Sequence, residues 1–252
     1  MQCHDQPRLF RGFLRLTAVF TSIAAATVGL SRIDVLGGPW LRAHPYSIAA
    51  AILFTAIVPL VQLAVSERGD RAARKRLELE NSVQVALASA LVLLVNKGAD
   101  WEKTGVQAFV LKRRWSGWRV RQEHVRLAKV RIAYVRASGI RWTRGKGAIG
   151  RCWATNSPQY IDVDCHFAQY AGYDAYRWST LSEDERIGLS FEDFQQLEGK
   201  YGTVAAMPIT THDGRYIGCV TADAPPGADL PREEVFDALE IAAGVVNELL
   251  PR

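Results

Sequence analysis

The side chains of this 252-residue chain that could do chemistry beyond packing are few: four cysteines, five histidines and a scatter of carboxylates. Cys152 follows Arg151, and Cys165 precedes His166. A neighbouring cation lowers a thiol's pKa and makes it a nucleophile or redox centre, so Cys152 and Cys165 are the redox candidates. Cys3 and Cys219 complete the set. No Cys-x-x-Cys pair or His/Cys ligand spacing occurs, which argues against a zinc site and a disulfide framework. Asp162, Asp164 and His166 lie within five residues, but no Ser/His/Asp order, carboxylate pair or metal cluster accompanies them. The chain is therefore read as a non-enzyme, with no metal and no cofactor assigned.

The elements that must position these residues centre on Arg144–Trp153, where Gly145, Gly147 and Gly150 mark a tight backbone path entering a short helix. The stretch lacks the Gly-x-x-x-x-Gly-Lys-Ser/Thr span of a phosphate loop, so the glycines are read as a packing device. Tyr160–Val163 reads as a short strand. Tyr201–Pro208 and Tyr216–Ala222 read as longer ones around the turn His212-Asp213-Gly214-Arg215. Val106–Leu111 and Val125–Val135 supply the first two strands, the second kept in phase by a bulge near Ala128. The run Glu183-Asp184-Glu185 after Ser182 reads as a solvated helix start, and Pro231–Leu250 as a closing helix with Val235, Leu239, Ala242, Val246 and Leu249 on one face.

From about residue 78 to 250 this order of elements resembles the GAF domain family, on the Gly145–Trp153 turn and the Val204–Ala222 hairpin. The resemblance implies an α+β fold with a central antiparallel sheet flanked by helices, and a ligand held between the sheet and a helical lid after the glycine turn. It puts Trp153, Asp162, His166, Tyr170, Tyr173, Trp178 and Phe194 at the binding site, where aromatic faces with polar tips suit stacking and a few hydrogen bonds. The free methionine sulfoxide reductases resemble the chain too. Where their turn carries a cysteine this one has Ile149, which leaves a thiol reductase or redox sensor as the second alternative.

Charge and hydropathy set the wider frame. Of 31 Lys and Arg, 24 precede Gly147, whereas 17 of 26 Asp and Glu follow Lys146. Ala43–Ser66 is an apolar run of membrane-span length, and Leu16–Leu30, extended to Gly12 past a snorkelling Arg15, makes a somewhat short span of roughly 18 to 20 residues, the two joined by a loop with Gly37-Gly38-Pro39. Residues 1–66 are therefore expected to form a transmembrane hairpin with spans at about 12–31 and 45–65. Arginines outside both spans place both termini in the cytoplasm, making a multi-pass protein of the inner or plasma membrane. Residues 67–97 follow as a connector helix, and 98–252 as the GAF-like domain. Leu77, Val83, Leu87, Ala90, Leu91 and Leu94 give the connector one apolar face, for the domain's own sheet or for the twin helix of a homodimer. Lys112–Lys146 holds twelve basic residues against Glu123, with Trp115, Trp118 and Trp142 among them. This region is read as a surface for lipid head groups or for protein, with nucleic acid disfavoured. The whole reads as a bacterial-type membrane-anchored sensor that binds a small ligand or partner and signals to a separate output protein. The first alternative is a ligand-triggered membrane effector.

Overall fold

The computed structural model describes residues 45–116, 119–133, 138–228 and 230–251. In chain order they form α1 (Pro45–Asn96), β1 (Gly105–Ser116), β2 (Arg119–Arg131), α2 (Gly147–Thr155), β3 (Gln159–Asp162), α3 (Val163–Ala168), α4 (Ala175–Thr180), α5 (Phe191–Leu197), β4 (Thr203–Thr210), β5 (Tyr216–Ala224) and α6 (Arg232–Leu249). The chain divides into two compact units, Met1–Arg76 and Leu77–Arg252. The expected span 12–31 lies outside the described residues. The span at 45–65 and the connector are one continuous helix, so the boundary drawn at residue 66 is not an end of α1.

The second unit is built on a five-stranded sheet of order β2-β1-β5-β4-β3 in which every pairing is antiparallel. Successive strand residues face opposite sides, and the sequence obeys that period. Val106 and Ala108 of β1, Ala205, Met207 and Ile209 of β4, and Val220, Ala222 and Ala224 of β5 face one core. There they meet Val83, Leu87, Leu91 and Leu94 of α1 and Val235, Leu239, Ala242 and Val246 of α6, all fully buried or nearly so. Within the described residues the stretch Val65–Asn96 is long and apolar enough to cross a membrane. Burial of Val83, Leu87, Ala90, Leu91 and Leu94 assigns the apolar face of its second half to the sheet, one of the two partners the spacing left open, whereas Leu77, expected on the same face, is exposed.

The opposite face carries Gly105, Gln107 and Phe109 of β1 and Cys219, Thr221 and Asp223 of β5, and is covered by α2 and the lid α3–α5. Phe109, Ala148, Ile149, Cys152, Ala206 and Cys219 form one small core there. The lid holds another around Phe167, Tyr170, Trp178, Leu189 and Phe194.

Among the local expectations, the extents of the first two strands and the acidic helix start are corrected, and the bulge is met. The first strand contains the expected Val106–Leu111 and runs on to Ser116, and the second starts upstream of Val125 and ends at Arg131, because β1 and β2 pair with each other from Gly105↔Arg131 to Ser116↔Arg119, whereas β5 accompanies β1 only as far as Val110. In its outer part Lys112, Arg113, Val120, Arg121 and Gln122 are exposed, so no alternation of buried and exposed positions marks these residues in the sequence. The bulge is real. Ala108 pairs Ala128 and Phe109 pairs Arg126, leaving Leu127 as the extra residue. Glu183-Asp184-Glu185 forms a turn closed by Ser182, whose hydroxyl accepts from Glu185 N at 3.2 Å, and it does not continue as a helix.

Candidate functional site: a cavity under the lid

The glycine turn opens α2 and ties it to the lid. Gly145 N donates to Gly150 O at 2.7 Å, and Gly147 N to Ile187 O at 2.8 Å. A Cβ on Gly150 would stand 2.1 Å from Thr143 O, so only glycine closes this turn. Lys146 between the glycines pairs with Asp193 at 2.5 Å. Asp193 also completes the capping box of α5 with Ser190. Burial opposes its ionisation, but Lys146 and Ser190 hold the Asp193 carboxyl below its ordinary value. The lysine is a strut between turn and lid, in keeping with the packing role read from the sequence.

Between this turn, the lid and the sheet lies a cavity of about 290 Å³. One wall is apolar: Phe109, Trp142, Ile149, Ile161, Phe167 and Val204 are among its residues. The other end is polar and is laid out by strand register. Gly105 pairs with Arg131 on one side and Asp223 on the other; one step along, Gln107 pairs with Lys129 and Thr221. Having no side chain, Gly105 lets the Arg131 guanidinium cross β1 to the Asp223 carboxylate. A Cβ there would lie 2.3 Å from Arg131 Nε. Arg131 and Asp223 are almost wholly buried. Arg131 Nη2 bonds the carboxylate and also donates to Asp223 O at 3.0 Å.

Gln107 Nε2 donates to Asp223 Oδ1 at 2.8 Å, and Arg126 Nη1 to Gln107 Oε1 at 3.5 Å. Burial pushes the Asp223 carboxyl up while Arg131 and Gln107 pull it back. Burial and the nearby Arg131 push the Lys129 ammonium down. Among the described residues Lys129 has no hydrogen bond or ion pair. At the cavity's edge His124 Nδ1 lies 3.1 Å from Trp142 O, and Nε2 lies 2.7 Å from Tyr216 Oη. A carbonyl only accepts, so Nδ1 carries the proton and Nε2 accepts from the tyrosine. Burial pushes this imidazole's pKa down.

None of the seven residues expected at the binding site lines the cavity. Asp162 caps α3, its Oδ1 accepting from Cys165 N at 2.9 Å. His166 is half-buried and bonds Glu185 O at 2.7 Å. Tyr170, Tyr173, Trp178 and Phe194 belong to the lid's own core, with Trp178 stacked on Phe194 at 4.3 Å between centroids and its Nε1 donating to Leu189 O. Trp153 lies beside His124 and Tyr216, outside the cavity wall. The structure thus brings the aromatic lid residues together and sets Trp153 apart from them. Cys152 is fully buried, and its bond to the adjacent Cys219 thiol, with burial, pushes its own thiol pKa upward. That is the reverse of what a reactive thiolate needs. Cys165 is exposed on α3, away from the cavity wall.

Sequence reasoning missed the polar end. Arg126, Lys129 and Arg131 were grouped with a basic surface, yet Arg126 and Lys129 line the cavity and Arg131 lies buried behind Asp223. The signal was present in β5, where Thr221 and Asp223 alternate with Val220, Ala222 and Ala224. Two polar residues on one side of a central strand mark a face that is not simple core.

In fold the chain is similar to GAF domain structures. The GAF domain region of a protein from Geobacter sulfurreducens PCA is 15% identical over 71% of this chain and 97% of that one, with a TM-score of 0.45. The type II free methionine-R-sulfoxide reductase of Thermoplasma acidophilum is 14% identical over 68% and 97%, with a TM-score of 0.41. The free methionine-R-sulfoxide reductase of Neisseria meningitidis, solved with its substrate, is 18% identical over 70% and 84%, with a TM-score of 0.40. No protein-family model matches the chain, and no curated protein does.

Proposed function

We propose that this is a membrane-anchored sensory or regulatory protein whose GAF-like domain binds a small ligand in the cavity under the lid and passes the signal through α1. The observation that carries the reading is the cavity itself: one apolar wall, one polar end, and a lid tied to α2 and its turn by the Lys146–Asp193 and Arg151–Asp184 pairs and by the Gly147 N–Ile187 O bond. Sites of this composition are where small molecules bind. Anchoring rests on the apolar composition of 12–31 and 45–65, and the cytoplasmic orientation on the arginines outside them. Lipids and a separate output protein are the remaining partners of this reading.

A second copy of the chain is the partner proposed for α1 and α6. Val85, Leu93, Ile241 and Val245 line a groove between these helices and are 40–67% exposed, an apolar face that a two-fold-related copy would cover. The test of the sensor reading is native mass spectrometry of the full-length protein in lipid nanodiscs, before and after denaturation. The expected result is a small molecule released on denaturation. A chain that releases nothing and gains no thermal stability from fractions of a cell extract would overturn it.

A further inference from the structure

The cavity's polar end is charged out of balance. Among the described residues Arg126 and Lys129 line it, and its one carboxylate, Asp223, is paired with Arg131 behind it. That carboxylate is already occupied, with Oδ1 accepting from Gln107 and Oδ2 from Arg131. It has no call for a cationic ligand. Arg126 is turned partly inward by its bond to Gln107. Lys129, the register partner of Gln107 on β2, has no hydrogen bond or ion pair among the described residues. Its nearest carboxylate, Asp223, is already bonded by Arg131 and Gln107, and for a half-buried ammonium so placed an added anion offsets the cost of desolvation. The hydroxyl of Thr221, on the other side of Gln107, also faces the cavity with no hydrogen-bond partner among the described residues. The wall opposite is made of Phe109, Trp142, Ile161 and Phe167, which asks for an apolar or flat aromatic body.

We infer that the cavity takes a small amphiphilic anion, an oxyanion head on an apolar or aromatic body, with the head against Lys129, Arg126 and Thr221 and the body against the aromatic wall. This rests on the ligand-binding reading above and narrows it to a chemical class. The head is a carboxylate or a phosphate. Both present oxygens that accept from an ammonium and a hydroxyl, and a cavity of about 290 Å³ leaves room for only a small body.

The test is calorimetric titration of the full-length protein in nanodiscs with four compounds of one shape: 3-phenylpropanoate, 2-phenylethyl phosphate, 3-phenylpropanamide and 3-phenylpropylamine. At least one anion should bind ten-fold or more tightly than the amide, and the amine should not bind. Whichever anion is tighter identifies the head. Lys129→Gln should remove the preference and Lys129→Arg should keep most of it, with thermal unfolding verifying that both variants are folded. Equal binding of amide and anion, preference for the amine, or no binding by any of the four would overturn the inference. A neutral or cationic molecule released from the native protein would also overturn it, while leaving the ligand-binding reading standing. A protein that binds none of the four and releases nothing would remove both.

Discussion

Gly105 shows how much one missing side chain can decide. It pairs with Arg131 and with Asp223 in neighbouring strands, and the guanidinium reaches the carboxylate through the space a Cβ would fill. A buried pair of this kind is weak evidence of net stabilisation, but breaking it leaves an uncompensated buried charge. Gly105→Ala is therefore expected to cost about 1–3 kcal/mol through overpacking alone, read by urea unfolding. A loss below about 0.5 kcal/mol, the usual scatter for surface changes, would mean that Arg131 has another way to its partner. Nothing in the sequence near Gly105 announces this role, because both partners are remote along the chain. The Gly145–Gly150 turn was legible for the opposite reason: its constraint is local, and three glycines in six positions record it directly.

At the scale of elements, the bulge in β2 does the most. Without it, strict alternation would put Arg126 and His124 on the side of the sheet opposite Lys129 and Arg131. With Leu127 as the extra residue, all four basic side chains share the lid face. The out-of-phase Val125 and Leu127 disclosed the bulge in the sequence, but not that the lid would cover the face it created. The lid aromatics were equally visible as a cluster, and periodicity does not say whether such a cluster faces a cavity or itself. The helices carry their own expectation. Val85 of α1 and Ile241 of α6 are 67% and 59% exposed, so Val85→Asp with Ile241→Asp should convert the proposed dimer to monomers in light scattering or sedimentation. A wild-type monomer, or a double variant that still dimerises, would assign this groove to something else.

For the whole molecule the open matter is the membrane. The Val65–Asn96 stretch meets the length and hydropathy of a span, but Val83, Leu87, Leu91 and Leu94 commit its second half to the sheet. The anchoring expectation therefore falls on 12–31 and 45–65. Full-length protein should remain in the membrane pellet after alkaline carbonate washing, and a chain lacking residues 1–66 should move to the supernatant. Full-length protein that stays in solution without detergent would end the anchored reading and the effector alternative together.

By itself the sequence determined the strands β3, β4 and β5, the closing helix and the glycine turn. Each is written in local terms, as alternation of period two, apolar spacing of period 3.6, or residues that permit a tight turn. Only the tertiary structure decided which charged residues are buried and which aromatics line a cavity. Those outcomes depend on register between strands that are distant in the chain. A single extra residue in β2 moves side chains from one face of the sheet to the other, while leaving composition and charge unchanged.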